Sequence, residues 1–212
     1  PVALRYSFVR GIYADSSCYT REELWAALSE DAKEAHLAGK KFYYILPAVF
    51  RNRTAAFYRE NIERLKALPL DGFVAKSYDA AAFVRQELGA ETPLILDHSL
   101  YSWNSAARDV FLQLAPERDT VPLELNRSEL FARDNHHSEA MVYGYLPLMT
   151  SAQCVHANTE KCDRKRGILY LKDRYGKYFP VKNNCTECYN TIYNTTPLML
   201  FDERADFLRM GI

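Results

Sequence analysis

Apolar residues along most of this chain fall into two alternating rhythms. Short continuous runs suit buried strands, and stripes at three- and four-residue spacing suit helices packed over them. The pattern predicts a leading strand over residues 4–9. A polar turn after Tyr13 then reaches Thr20, whose hydroxyl caps a helix while Glu23 reaches back in a capping box. Leu24, Trp25, Leu28, Ala32, Ala35 and Leu37 follow at helical spacing until Gly39 ends the run. Strands are expected next over 42–47, 72–75, 93–97, 121–125 and 140–146. The segments between them predict a helix over 54–68, one capped by Asp79 and closed by Gly89, one over 104–114, and a short helical turn over 127–132.

Strand runs joined by helical crossovers mean a parallel sheet covered by helices. Short strands in units of about 20 to 30 residues fit a (β/α) TIM-like barrel, and about five strands do not close the usual eight. The expected class is therefore α/β. Residues 1–150 are expected to form a partial barrel, a fragment lacking its N-terminal half, with a missing N-terminal segment or a second copy expected to cover the open sheet edge. The chain begins Pro-Val-Ala rather than with Met, which suits an excised piece of a longer protein.

Past Pro147 the rhythm changes. Residues 154–166 read as a polar loop, and 167–171 with 177–181 as a hairpin around Asp173-Arg174-Tyr175-Gly176. A tight loop, Asn183-Asn184-Cys185-Thr186-Glu187-Cys188, follows. Residues 151–212 thus make a cysteine-bearing hairpin region packed on the barrel. Four of the five cysteines lie here, Cys154, Cys162, Cys185 and Cys188, and the hairpin brings their two halves together. Four thiolates converging on one point suit zinc or an iron-sulfur cluster, because both prefer sulfur and both accept tetrahedral donor sets. Four unlinked thiols are one competing reading, and disulfides are another. Against disulfides stand an odd cysteine count, the absence of an apolar signal segment in the sequence given, and a length that folds without staples. Cys18, among Ser16, Ser17 and Tyr19, reads as a lone thiol.

Charge changes the picture only locally. The 212 residues carry 27 basic and 27 acidic side chains, so no global field draws the chain to nucleic acid or an anionic membrane. Between 161 and 182, however, Lys161, Arg164, Lys165, Arg166, Lys172, Arg174, Lys177 and Lys182 face only Asp163 and Asp173. That basic patch is either a solvated hairpin surface or a contact for phosphate or a thiolate cluster. No apolar run is long enough to span a bilayer, and a cytoplasmic location is expected.

In a parallel barrel the working groups project from the C-terminal strand ends. This nominates Arg51, Lys76 and Ser77, Asp97 and His98, Glu124 and Asn126, and Tyr143 to Tyr145. Asp97 with Glu124 suits acid–base work or a hard cation; alternatively Asp97 caps the next helix and Glu124 pairs with Arg51 or Arg127. His98 beside Asp97 and Ser99 lacks a Gly-x-Ser-x-Gly elbow, His136-His137 lacks a zinc-protease helix, and no Gly-rich phosphate loop is present.

Many short motifs in fixed order resemble one family. They are Leu46-Pro47 with Arg51, Asp97-His98-Ser99-Leu100 followed by Asn104, Leu123-Glu124-Leu125-Asn126 with Glu129-Leu130, Val142-Tyr143-Gly144 running into Leu146-Pro147-Leu148-Met149, and then Cys154. Leu171-Lys172-Asp173-Arg174, Phe179-Pro180-Val181, Cys185, and Asn194 near Pro197-Leu198 continue the series. The segment 46–200 resembles the peptidase U-32 family, the collagenase-like peptidases. The resemblance implies a barrel-type fold and a conventional assignment as a protease. It also implies relatives that hydroxylate ribosomal or transfer RNA bases or assist ubiquinone hydroxylation, some with cysteine-held 4Fe-4S clusters. Carried over residue by residue, Cys154, Cys162, Cys185 and Cys188 become the metal ligands, and Asn104 joins Arg51, Asp97, His98 and Glu124 among the catalytic candidates. In the more familiar family signature a cysteine follows closely on the Gly144 position; here Tyr145-Leu146-Pro147 intervenes. Two enzyme readings follow, RNA base modification with RNA as partner and a metal-dependent peptidase acting on peptides. A third is a non-catalytic scaffold half stapled by zinc.

Overall fold

The computed structural model describes residues 2–159, 162, 164 and 166–212. They divide into two compact units, 1–140 with 207–212 and 141–206. The first is a six-stranded parallel sheet, β1 (Gly11–Asp15), β2 (Lys41–Ile45), β3 (Gly72–Ala75), β4 (Leu94–Leu96), β5 (Arg118–Thr120) and β6 (Ser138–Glu139), in which each strand pairs with the next in sequence. The connections are helical: α1 (Leu24–Leu37), then α2 (Asn52–Glu60) with α3 (Ile62–Lys66), α4 (Tyr78–Phe83) running into a π turn, α5 (Ser105–Leu112) and α6 (Arg127–Ala132). This is the expected partial barrel, with six strands rather than about five.

Alternation along the strands sorts their side chains between two faces. Phe42, Tyr44, Leu46, Phe73, Ala75, Leu94 and Leu96 are buried in one cluster with the helical residues Leu28, Ala32, Ala35, Tyr58, Leu65, Phe83 and Val84. Tyr43, Val74 and Ile95 point the other way and pack with Ile45. Six strands laid flat would hold β1 and β6 about 24 Å apart. Yet the Tyr13 hydroxyl on β1 donates to Glu139 Oε2 on β6 at 2.7 Å. The sheet therefore curls into a half-barrel whose inner face carries Tyr13, Tyr43, Val74 and Ile95. Gly72 starts β3 at φ +158°, where a Cβ would lie 2.6 Å from the Pro93 carbonyl oxygen.

Several expected elements move, each for a local reason. The leading strand over 4–9 is not one: Val2–Arg5 is a 3-10 turn. The carbonyls of Tyr6 and Val9 accept from the ammonium of buried Lys40, at 2.8 and 2.7 Å, and the ladder starts only where Lys41 N donates to Arg10 O. The strand over 121–125 lies earlier, at β5; Val121 N still donates to Glu139 O, but Pro122 has no N–H to continue. The helix over 54–68 breaks at Asn61, whose amide turns back to the Phe57 carbonyl. Ser77, not Asp79, caps α4. The Thr20–Glu23 capping box forms as read, with Thr20 N donating to Glu23 Oε1 and Glu23 N to Thr20 Oγ1.

The second unit is antiparallel. Of the expected strand over 140–146 only β7 (Tyr143–Gly144) forms, β6 having ended at Glu139, and β7 pairs with β12 (Leu198–Met199). A four-stranded sheet runs in the order β8 (Pro147–Ser151), β11 (Tyr189–Tyr193), β10 (Tyr178–Asn184), β9 (Gly167–Lys172). The predicted hairpin is β9–β10, closed by a turn in which Asp173 Oδ1 accepts from Tyr175 N and Lys177 N, with Gly176 at φ +80°. Part of the loop expected over 154–166 is instead a short helix, α7 (Val155–Thr159). Lys161, Asp163 and Lys165 of the basic segment lie outside the described residues. The last described helix is α8 (Arg204–Arg209).

Candidate functional site

In the parallel unit the C-terminal strand ends bring three charged side chains into one hydrogen-bonded set. Asp15 closes β1, and its Oδ1 accepts from Ser17 N at 2.9 Å and Ser17 Oγ at 2.5 Å. Its Oδ2 takes the Lys76 ammonium at 2.7 Å. Lys76 sits one residue beyond β3, two beyond Val74, and so projects from the inner face. Its carbonyl accepts from Ser99 Oγ at 2.9 Å, and that hydroxyl also lies 2.7 Å from Asp97 Oδ1. Burial alone would raise the Asp15 carboxyl. The Lys76 ammonium and the two Ser17 donors outweigh it and hold the group down at about 2. A fixed ammonium–carboxylate pair thus marks the mouth of the half-barrel.

Among the predicted catalytic residues, Asp97 and His98 belong to this set. Asp97 follows β4 and caps a one-turn 3-10 helix through Ser99 N, with His98 Nε2 3.6 Å from its Oδ1; both side chains are largely buried. Arg51 and Glu124 are exposed: Arg51 precedes α2, and Glu124 lies in the turn after Pro122 rather than at a strand end. Asn104 is the N-cap of α5, accepting from Ala107 N at 2.9 Å, and Asn126 caps α6 in a capping box with Glu129. Tyr143 and Tyr145 belong to the antiparallel unit and face solvent.

Deeper on the inner face lies a second polar set that sequence reasoning missed. Glu139 accepts from Tyr13 and from Thr120 Oγ1, at 2.7 and 3.2 Å, and Arg118 approaches it to 3.9 Å. The Arg118 guanidinium also binds Glu117 at 2.5 Å and lies 5.6 Å over the Tyr43 ring. Burial, followed by the hydrogen bond to Glu139, pushes the Tyr13 phenol well above its ordinary value, so it remains a donor. The only signal for Asp15 was the alternation of Gly11-Ile12-Tyr13-Ala14-Asp15 before a serine turn. Glu139 carried none, because Thr120 and Arg118 meet it by strand pairing and Tyr13 meets it only through the curl.

Four of the five cysteines occupy the antiparallel unit, and Cys18 lies in the parallel one. Cys154 follows β8 and opens α7, Cys162 precedes β9, and Cys185 and Cys188 span the turn between β10 and β11. The registers Asn190↔Ser151, Asn184↔Tyr189 and Asn183↔Gly167 put the strand ends that lead to these four cysteines at one end of one sheet. None is in a disulfide. Their side chains stay apart: among the described residues no group of three or more His, Cys, Asp or Glu is placed to hold a metal. Two buried amide oxygens at this end, Asn183 Oδ1 and Asn190 Oδ1, have no hydrogen-bond partner among the described residues, although Asn190 Nδ2 ties β11 to the Gln153 carbonyl. The four thiols are chemically a sulfur donor set, but among the described residues they are not gathered around one point.

A sequence model of Peptidase family U32 matches residues 19–204, which takes in both units almost entirely. No curated protein and no solved structure matches the chain.

Proposed function

Because the chain belongs to peptidase family U32, we propose that it is an RNA base-modifying (hydroxylating) enzyme in which Cys154, Cys162, Cys185 and Cys188 hold an iron-sulfur cluster. The observation that carries this reading is the common exit of the four cysteines from one end of the β8-β11-β10-β9 sheet. Such a cluster, when bound, supplies one-electron chemistry that no side chain can perform. The protein's own groups would do the rest. Lys76, anchored by Asp15, offers a fixed positive charge for an anionic substrate group, and basic residues of the β9–β10 hairpin offer contacts to phosphate.

A second reading, a metal-dependent peptidase, is favoured by the family's name and by Asp97 and His98 standing together at a strand end. One preparation separates the two. Anaerobic purification with metal and sulfide analysis is expected to give iron with acid-labile sulfide and visible absorption, both lost in Cys185→Ser. Zinc at unit stoichiometry would support a structural staple instead. A protein without iron that cleaves gelatin, and stops when Asp97→Ala is made, would establish the peptidase.

A further inference from the structure

The β9–β10 hairpin separates its side chains sharply. Val181 and Asn183 turn inward and are buried, whereas Ile168, Tyr170 and Tyr178 are 60 %, 62 % and 55 % exposed on the opposite face. The register fixes that outer face as one surface, with Ile168 opposite Lys182, Tyr170 opposite Pro180 and Lys172 opposite Tyr178. Tyr170 and Tyr178 are therefore diagonal neighbours, about 7–8 Å apart at their Cβ atoms. The Lys172 ammonium lies 5.4 Å from the Tyr178 ring centroid. Arg166, Arg174 and Lys177 are exposed around this face. The nearby acidic group, Asp173, is engaged by the turn amides of Tyr175 and Lys177.

Two solvent-facing rings on one sheet face, edged by cations, combine the two elements that hold unpaired nucleotides: π-faces for bases and positive charge for phosphates. We propose that the outer face of β9–β10 is a stacking platform for single-stranded RNA, with successive bases on Tyr170 and Tyr178 and the backbone tracked by Lys172 and its basic neighbours. This rests on the RNA reading above and names the surface that would carry the strand. A duplex, whose bases are already stacked, cannot use the rings.

Fluorescence anisotropy with a labelled 12-nucleotide single-stranded RNA tests it, using the full chain. Tyr170→Ala with Tyr178→Ala is expected to weaken binding at least about tenfold. Tyr170→Phe with Tyr178→Phe keeps the rings and should bind like the unsubstituted protein, and Lys172→Gln should flatten the dependence on salt. The substituted side chains are exposed, so circular dichroism should show the same fold. RNA binding that is unchanged in the double alanine variant, or equal for single strand and duplex, would overturn the platform and leave the RNA reading standing. No RNA binding by the full chain would remove both. Sedimentation showing a dimer that the double alanine variant abolishes would assign the face to a second copy and overturn the proposal.

Discussion

In the parallel unit the polar side chains of the inner face close on one another: Tyr13, Thr120 and Arg118 on Glu139, Lys76 on Asp15. In the antiparallel unit Tyr170, Tyr178 and Lys172 face solvent, and Cys162 and Cys188 are exposed thiols. The first arrangement fixes geometry, since each group is held by partners from other strands. The second leaves donor and stacking groups available to something outside the unit. Substitutions in the two regions should therefore register in different measurements, stability for one and binding for the other.

The sharpest contrast is expected at Arg133. It is almost fully buried, and its guanidinium joins Asp119, Ser102 and Asn135. Removing one partner leaves a buried charge, so Arg133→Ala should cost about 3–5 kcal/mol in denaturant unfolding. A loss below 1 kcal/mol would mean the network is not needed to hold the parallel unit. Next comes Gly72→Ala, whose Cβ meets the backbone of Pro93 at a φ that side chains rarely adopt; roughly 2–3 kcal/mol of destabilisation is expected from the same measurement.

Acid should discriminate further. The folded Asp15 carboxyl titrates at about 2 against an ordinary 3.8. A depressed acid contributes stability that is present above the unfolded value and is lost as pH falls through the folded one. Roughly 2 kcal/mol should therefore disappear between about pH 4 and pH 2, and Asp15→Asn should abolish that step. The smallest effect is expected at Tyr170→Ala. On an exposed strand face its cost should stay within about 0.5 kcal/mol, and a larger loss would show that the face packs against something within the unit.

What the sequence revealed tracks how local each feature is. The Thr20–Glu23 box, β3 and the β9–β10 hairpin depend on neighbours in the chain, and each could be read from residue spacing. β8 and β11 could not: Ser151 finds Asn190 only after α7 and the β9–β10 hairpin have intervened, and β8 carries exposed Leu148 and Met149 without clean alternation. The site divides the same way. The cysteines and Asp97-His98 announced themselves by residue type and position. Asp15 was hidden because Leu4, Val9 and their neighbours mimic a strand that the Lys40 ammonium prevents. Glu124 looked like a strand-end acid until Pro122 cut the strand short.

Pairing each parallel strand with its predecessor has a consequence for biosynthesis. A nascent chain can add β2 to β1, then β3 to β2, as each segment leaves the ribosome, and no strand waits for a distant partner. The seal comes late. Asn135 donates its side-chain amide to both the Leu130 and the Met210 carbonyls, so this half-barrel reaches its finished form only after the antiparallel unit has been translated.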